Sequence, residues 1–321
     1  MDVLNKDFRK LNSDASQVPA AWQSIAADCE INFCLAHRDP DGNWTGGIER
    51  TLTTVSSWPV NDAVKFTSNG GADAWDRAQY LNIWVCNISG NVLGYSSIPA
   101  GPANVDGVVL DYEYTGITGA TAPYDLGRTA THEIGHWLNL LHVWGDDGNS
   151  CSGSDGVADT PNQAGENYGC PAFPHTDPCS PNPPGVMFMN FMDYTDDACM
   201  YIFTAGQKTR IWAFMNSATR LPLQVSNACT PTGIEQTLMQ GIFSISPSPT
   251  TGAFTLNFTN GSPKDFNIII YTVLGEQIFN NHYDVMNQAE IHLDLEGNPA
   301  GIYLVEVHSS TGRFTKKIML E

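Results

Sequence analysis

The chain has 321 residues, enough for one large domain or two of ordinary size, and its 42% hydrophobic and 15% charged residues are typical of a globular protein. A formal net charge of −19 repels phosphate backbones and anionic membranes, so we expect no nucleic-acid partner. The same charge favours calcium, basic peptides or other cationic ligands, or it serves solubility alone.

The cysteines and the first residues bear on the compartment. No apolar run approaches the roughly 18 residues that cross a bilayer, so we expect no transmembrane segment. The start, MDVLNKDFRKLN, is polar with a helical pattern and does not read as a signal peptide. Half of the eight cysteines lie in a loop-rich stretch, and no C-x-x-C pair indicates a metal site. We therefore expect an exported, disulfide-bonded protein whose sequence begins after its export segments.

The N-terminal third of the chain mixes helical and strand patterns. The segment VLNKDFRKLN predicts a helix, because Val3, Leu4, Phe8 and Leu11 share one helical face. EINFCLA and YLNIWVCNI alternate apolar and polar residues as half-buried strands do, and GVVLDYEYTG predicts a further strand. The alternating apolar residues are Ile31, Phe33 and Leu35 in the first segment and Leu81, Ile83 and Val85 in the second.

The middle of the chain predicts two helices separated by irregular structure. The first runs from about Tyr124 to Asn139, and TAGQKTRIWAFMNSA has the helical spacing of the second, which closes the domain. Residues 145–200 contain Pro and Gly throughout and are expected to be mostly irregular. After a linker at residues 230–240, short β-rich runs with turn residues between them predict a small β-sandwich without helices at residues 241–321.

The segment HEIGHWLNLLH, from His132 to His142, carries the clearest chemical signal. Residues four apart share one face of an α-helix, so His132 and His136 can direct ring nitrogens at a single ion. Glu133 lies beside them, placed to reach a water on that ion rather than the ion itself. On a continuous helix His142 would face away, so the helix must end and the backbone reverse near residue 139 for His142 to become the third ligand.

That reversal requires a positive φ at Asn139, where glycine would be the most tolerant residue. Asparagine is the next most tolerant, because its short side chain can hydrogen-bond locally in the left-handed region. We expect a strain of ~1 kcal/mol, which is small beside the binding of zinc by three histidines. The predicted site is therefore zinc on His132, His136 and His142, with a fourth position for water. An amphipathic helix with unrelated histidines is the alternative.

HEIGHWLNLLH followed by NFMDYTDDACM resembles the metzincin metallopeptidases, and most closely the pappalysin family. DVLNKDFRKLN, EINFCLA and CSGSDGVADTPNQ resemble that family too, so the likeness covers about residues 2–229. It implies an α+β catalytic domain of metzincin type, with a twisted mixed sheet and a zinc-binding active-site helix. It also implies that Glu133 acts as general base and acid, that Met192 lies beneath the zinc, and that Tyr194 stabilises the tetrahedral intermediate. A plain core role for Met192 and a structural role for Tyr194 are the alternatives.

The resemblance further implies a specificity residue, a calcium site and two disulfides. In pappalysin-like enzymes that cut before Lys or Arg, an aspartate in the position of Asp197 lines the pocket that binds the Lys or Arg side chain. The alternative is that Asp197 is an ordinary surface aspartate, like its neighbour Asp196. Asp155, Asp159 and Thr160 offer hard oxygen ligands, and the family suggests calcium on Asp155 and Thr160, against a plain acidic loop. The implied bridges are Cys151–Cys179 and Cys170–Cys199, which leaves Cys29, Cys34, Cys86 and Cys229 unassigned, with buried free thiols as one option.

The C-terminal segments FSISPSPTTGAF, IIIYTVLGEQI, NPAGIYLVEV and KKIML resemble the sorting domain of type IX secretion in Bacteroidetes. This implies a secreted or cell-surface protein that meets the type IX machinery; a generic β-sandwich that binds substrate or carbohydrate is the alternative. We predict a peptidase domain at residues 1–229 and a secreted zinc endopeptidase that cleaves on the N-terminal side of Lys or Arg. A secreted binding or adhesion protein that retains a structural zinc, and a zinc hydrolase acting on another bond, such as a glycan amide, are the rivals.

Overall fold

A computed structural model describes residues 1–148, 150–230, 243–258, 265–284, 290–309 and 312–321. The chain divides into two compact units, Met1–Thr230 and Pro231–Glu321. Apart from Thr230, the predicted linker at residues 230–240 lies outside the described residues. Within the described ranges, no helix combines the length and the apolar character needed to cross a membrane.

The first unit combines helices with a small mixed sheet. Strand β1 (Ile83–Cys86) runs parallel to β3 (Val108–Asp111), and β2 (Gly94–Ser96) pairs antiparallel with β3, so the order is β1-β3-β2. The helices are α1 (Asp2–Phe8), α2 (Ala20–Gln23), α3 (Arg128–Trp137) and α4 (Ala205–Met215). The predicted α+β class with a mixed sheet is confirmed.

Helix α3 lies at the centre of the main core. Its residues Ile134 and Trp137 are buried together with Leu4 and Phe8 of α1 and with Val108 and Leu110 of β3. Each large apolar side chain that is buried in this way stabilises the folded state by about 1.5–3 kcal/mol. This packing holds in place the helix that carries the predicted ligands His132 and His136.

A buried ion pair adds polar contacts to that core. Asp106 accepts hydrogen bonds from the Trp137 indole at 2.7 Å and from the Arg220 guanidinium at 3.0 Å, and both charged side chains are almost fully buried. The guanidinium of Arg220 also lies over the Trp137 ring, 3.8 Å from its centroid. The ion pair therefore ties the C-terminal end of α3 to Asp106, which lies two residues before β3.

Two N-terminal predictions are wrong in detail. Helix α1 ends at Phe8 and Lys10 has a φ of 51°, so Leu11 leaves the helical face and is 68% exposed. EINFCLA forms no strand in the described structure, because the Asn5 side chain takes the place of a neighbouring strand. Its amide donates to the Phe33 carbonyl at 3.0 Å and accepts from the Phe33 N–H at 2.6 Å.

The strand predictions nearer the site are confirmed, with one exception in burial. Ile83 packs against the main core and Trp84 packs on the opposite face in a second cluster with Trp58 and Val109. Val85, which was expected to be half-buried, is 53% exposed. The main core covers that face of β1 only as far as Ile83.

The second unit is sheet-rich, as predicted, and its described residues contain no helix. The strands are β4 (Phe243–Ser246), β5 (Ala253–Phe258), β6 (Phe266–Thr272), β7 (Gln277–Tyr283), β8 (Glu290–Asp294), β9 (Gly301–Ser309) and β10 (Gly312–Leu320). They form two antiparallel sheets that carry the core, one of four strands in the order β10-β9-β6-β7 and one of three in the order β4-β5-β8. Alternate residues of both sheets, such as Leu256 and Ile268, are fully buried, which is the pattern of a β-sandwich.

Candidate metal centre

The three histidines of HEIGHWLNLLH converge on one point. The Nε2 atom of His136 lies 3.0 Å from the Nε2 of His132 and 3.0 Å from the Nε2 of His142. Tetrahedral zinc with Zn–N bonds of 2.0–2.1 Å places its nitrogen ligands about 3.3 Å apart. Among the described residues, these histidines are the one set of three His, Cys, Asp or Glu side chains whose ligand atoms cluster within 4.8 Å.

The other ring nitrogen of each histidine has its own acceptor. Nδ1 of His132 lies 2.7 Å from the Phe191 carbonyl, Nδ1 of His136 lies 2.9 Å from the Leu140 carbonyl, and Nδ1 of His142 lies 2.8 Å from a carboxylate oxygen of Asp146. Oxygen acceptors at these positions place the proton on Nδ1, so each Nε2 lone pair faces the shared point. The side chains therefore fit a zinc ion.

Burial keeps the imidazoles neutral. It lowers the pKa of His132, and the nearby His136 and His142 lower it further. Burial and then His142 lower the pKa of His136 to about 4, and burial also lowers the pKa of His142, although Asp146 opposes that shift. Neutral imidazole is the form that binds metals.

The turn between His136 and His142 is made by Asn139, whose φ is 73°. The N–H of Asn139 bonds to the His136 carbonyl at 2.8 Å, and the N–H of Leu140 bonds to the Gly135 carbonyl at 2.9 Å. These two bonds close a Schellman motif with asparagine in the left-handed position where glycine is usual. The predicted reversal is present, and it brings His142 back to the ligands on α3.

Glu133 lies buried between α3 and strand β2. Its side chain passes so close to Gly94 that a Cβ on that glycine would lie 2.9 Å from Glu133 Cγ. Burial raises the pKa of Glu133 to about 8, a value that a cation bound to the histidines would pull down. Burial thus makes this carboxylate a stronger base than an exposed glutamate.

Met192 and Tyr194 both lie against the histidines. A Cβ on Gly135 would lie 2.5 Å from Met192 Sδ, so the thioether packs directly on α3 between the first two ligands. The Tyr194 hydroxyl lies 3.0 Å from Nε2 of His142. Burial raises the pKa of Tyr194, which keeps this hydroxyl a hydrogen-bond donor.

The N-terminal end of α3 is fixed by carboxylates. The helix was predicted from about Tyr124, but it begins at Arg128. Gly127 has a φ of 84°, which is not helical. In addition, the N–H groups of Leu126 and Arg128 donate to the Asp197 carboxylate at 2.8 and 3.1 Å. The Arg128 guanidinium is buried against Asp7 and also donates to Asp14 at 2.8 Å.

Asp197 is therefore not a surface-turn residue. It is 1% exposed, and burial raises its pKa while the N–H groups of Arg128 and Leu126 lower it.

Disulfides hold the irregular region that follows the site. The described part of residues 145–200 is irregular, as predicted, except for a short 3₁₀ turn at Asp197–Cys199. The structure joins Cys151 to Cys179 and Cys170 to Cys199, the pairing that the resemblance implied. It also joins Cys34 to Cys229, which the sequence left open, and leaves Cys29 and Cys86 as free thiols.

Two of the predicted calcium residues, Asp155 and Thr160, lie in contact. Asp155 is buried, and one carboxylate oxygen lies 2.7 Å from the Thr160 hydroxyl while the other accepts the Val157 N–H at 3.0 Å. Asp159 instead accepts from the Thr204 hydroxyl and the Gly206 N–H at 2.6 and 2.8 Å. It therefore anchors the start of α4 and is not grouped with the other two.

Sequence reasoning missed three residues that support the site. Asp146 orients His142, Gly135 makes room for Met192, and the Trp144 indole stacks on the His142 ring with centroids 4.2 Å apart and 6° between the planes. An acidic residue four positions after a proposed histidine ligand is a usable signal, because such ligands commonly donate their second N–H to a carboxylate. For Trp144 the sequence offers no comparable signal.

Two family models match this chain. Residues 67–216 match the peptidase family described as pregnancy-associated plasma protein-A, and residues 244–321 match the secretion system C-terminal sorting domain. An extracellular metalloprotease of Colletotrichum graminicola is 40% identical over 145 residues, which cover 42% of this chain and 49% of that protein. One of Arthroderma benhamiae is 40% identical over 190 residues, which cover 57% of this chain and 67% of that protein. The chain thus spans about half the length of the first curated relatives that it matches.

Solved structures of mirolysin are also similar. The mature mirolysin of Tannerella forsythia, in complex with a cleaved peptide, is 51% identical with a TM-score of 0.68, over 70% of this chain and 86% of that one. Mirolysin in complex with compound 9 gives 50% identity and a TM-score of 0.70, over 72% of this chain and 89% of that one. The similarity extends over most of the mirolysin chain.

Proposed function

Because the chain belongs to the pappalysin family of peptidases, with a first unit of the metzincin-type fold, we propose that it is a secreted zinc endopeptidase. The observation that carries this proposal is the convergence of three neutral Nε2 atoms beside a buried Glu133. The likeness to mirolysin, whose structure holds a cleaved peptide, supports peptides as the substrate class.

The histidines, Glu133 and Tyr194 would have different roles in hydrolysis. Zinc on the three histidines would act as a Lewis acid and lower the pKa of water to about 7. Glu133 would take the proton of the attacking water and deliver it to the leaving amine, a role worth about 10²–10⁴ in rate. The Tyr194 hydroxyl would donate a hydrogen bond to the oxyanion that forms at the substrate carbonyl.

The free edge of the sheet suits an extended peptide. Strand β2 is at the edge of its sheet. The Asp111 N–H donates to the Leu93 carbonyl, and the Ser97 N–H donates to the Gly107 carbonyl. These two hydrogen bonds determine which residues of β2 direct their backbone groups at β3. By the alternation of antiparallel pairs, the backbone groups of Gly94 and Ser96 face outward. A peptide added along this edge would pass Gly94, against which Glu133 lies.

We further propose that Asp197 selects Lys or Arg after the scissile bond. One of its oxygens accepts the Leu126 and Arg128 N–H groups, and within the described part of the chain the other accepts no hydrogen bond. A buried carboxylate oxygen in that state favours a guanidinium or ammonium group and disfavours apolar side chains. Arg128, whose N–H Asp197 accepts, begins α3 about one helical turn before the ligand His132.

Sequencing the new N-termini of a digested denatured protein tests this specificity. We expect Lys and Arg at the new N-termini, and a loss of about 100-fold in kcat/KM for such sites in Asp197→Asn. Asp196→Asn is the matched control, because it removes the same charge one residue away. Unbiased N-termini in the parent enzyme would overturn the role of Asp197 and leave the peptidase proposal intact.

Calcium on Asp155 and Thr160 and recognition by the type IX secretion machinery complete the proposal. The buried Asp155 oxygens beside the Thr160 hydroxyl support the first, and the sorting-domain match at residues 244–321 supports the second. Calcium should raise the melting temperature of the parent but not of Asp155→Ala. Deletion of residues 241–321 should leave the protein inside its native cell, and secretion of the truncated chain would contradict the second proposal.

A further inference from the structure

We infer that this enzyme cleaves a second copy of its own chain between Glu49 and Arg50. The inference rests on the proposed function, since it assigns a substrate to the same site. Hydrolysis adds one water across this bond, so that the Glu49 carbonyl becomes a carboxylate and the Arg50 nitrogen leaves as an amine. The products are residues 1–49 and 50–321.

The bond lies in an exposed, irregular segment. Residues 48–54 are all exposed, form neither helix nor strand, and include Leu52 at 100% exposure. The chain is held at both ends, by the Thr45 N–H on the His37 carbonyl at 3.1 Å and by the buried Trp58. Across residues 48–54, the described structure contains no backbone–backbone hydrogen bond. Exposed loops of this kind are the usual sites of proteolytic cleavage.

The segment is also poorly packed against the rest of the unit. A cavity of about 330 Å³ is lined by Glu49 and Thr51 together with residues between Thr67 and Trp75. Seven residues span about 23 Å when extended, which is enough to lie along a strand edge such as β2. The segment can therefore enter the site of another molecule without unfolding the core.

Arg50 supplies the cationic side chain that the Asp197 pocket requires. Among the described residues, it is the one exposed Lys or Arg that lies outside helices and strands. Nor does it form an ion pair or hydrogen bond with any residue that the structure describes. By contrast, Lys65 and Arg220 are fully buried and Arg128 is bound to Asp7 and Asp14. No hydrogen bond or ion pair with a described residue has to break before Arg50 binds.

The fold would retain the fragment after cleavage. The Cys34–Cys229 disulfide joins residues on either side of the cut. Helix α1 keeps Leu4 and Phe8 in the main core, and Asp7 stays paired with the buried Arg128. The cleaved enzyme should therefore remain folded, with its two pieces covalently linked.

The experiment uses the full-length Glu133→Ala protein as substrate and a trace of active enzyme as protease. We expect one early cleavage with a new N-terminus of Arg-Thr-Leu-Thr. It should separate a small fragment on a reducing gel and leave a single band on a non-reducing gel. Substrate carrying Arg50→Gln should be cut at least about tenfold more slowly, and Arg50→Lys should restore the cleavage. An unchanged rate in Arg50→Gln, or earlier cleavage at another basic residue, would overturn the inference.

Two controls separate this inference from the proposed function. A second, denatured protein in the same reaction reports peptidase activity. If that protein is cut before Lys or Arg while the Glu49–Arg50 bond of the Glu133→Ala substrate stays intact, only the inference is refuted. If neither substrate is cut, both proposals fail. Trypsin, added briefly to the folded Glu133→Ala protein, should cut first after Arg50; resistance there would show that the segment is not accessible and would also overturn the inference.

Discussion

Replacing Asn139 tests how the chain brings His142 to the other histidines. Its φ of 73° lies in the left-handed region, which costs an ordinary L-residue about 1–2 kcal/mol. Asparagine offsets part of that strain by hydrogen-bonding locally, and glycine is free of it but loses about 0.5–1 kcal/mol in chain entropy. We therefore expect Asn139→Ala to lower the free energy of unfolding by ~1 kcal/mol, and Asn139→Gly to change it by ~0.5 kcal/mol or less.

The measurement is urea unfolding of metal-free protein in the Glu133→Ala background, where self-digestion does not interfere. All eight tryptophans lie within residues 1–230, so their fluorescence reports the unit that contains the turn. A change of ~1 kcal/mol should also lower the melting temperature by about 2–4 °C. If Asn139→Ala is as stable as the parent, or Asn139→Gly is clearly less stable than both, the account of the turn is wrong.

Three further predictions concern individual aspartates of the first unit. Asp146→Asn should weaken zinc binding about tenfold, measured by competition with a chelator. This is the low end of the range for the carboxylate partner of a ligand, because the Asp146 side chain is 55% exposed. The neighbouring control Asp147→Asn should bind zinc as the parent does. Asp106→Ala should lower the free energy of unfolding by about 3–5 kcal/mol, because it leaves Arg220 buried without its carboxylate; equal stability would contradict that role. Burial raises the pKa of Asp193 to about 6 in the folded state, so its contribution to stability is greatest below pH 4 and declines as the pH rises through 6. In Asp193→Asn this decline should be absent. The unfolding free energies of parent and variant, measured at pH 4 and at pH 7, should therefore differ by amounts that change by up to ~3 kcal/mol between the two pH values. A difference that stays constant with pH would refute this role of Asp193.

The features that sequence alone predicted are those set by local spacing. The i, i+4 placement of His132 and His136 and the need for a left-handed residue at Asn139 follow from helix geometry. The strand GVVLDYEYTG and the β-sandwich follow from periodicity and turn residues. In each case the signal lies within a few residues of sequence, even where the strands it predicts pair far apart in the chain.

The features that sequence missed depend on contacts far apart in the chain. Helix α3 begins at Arg128 because of Asp197, about seventy residues onward, and EINFCLA fails to form a strand because of Asn5. The Asp106–Arg220 pair joins residues that no periodicity connects. Such contacts are fixed only when the elements pack, so propensity and spacing do not reveal them.

Hydrolysis of peptide bonds is proposed to need Glu133 together with one zinc ion bound by the three histidines. The most direct test of this proposal is the initial rate on a peptide with a single internal Arg, compared between the parent and Glu133→Ala at equal, measured zinc content. We predict that the variant retains one zinc per chain and loses at least about 100-fold in rate. Equal rates at equal zinc content would contradict the claim.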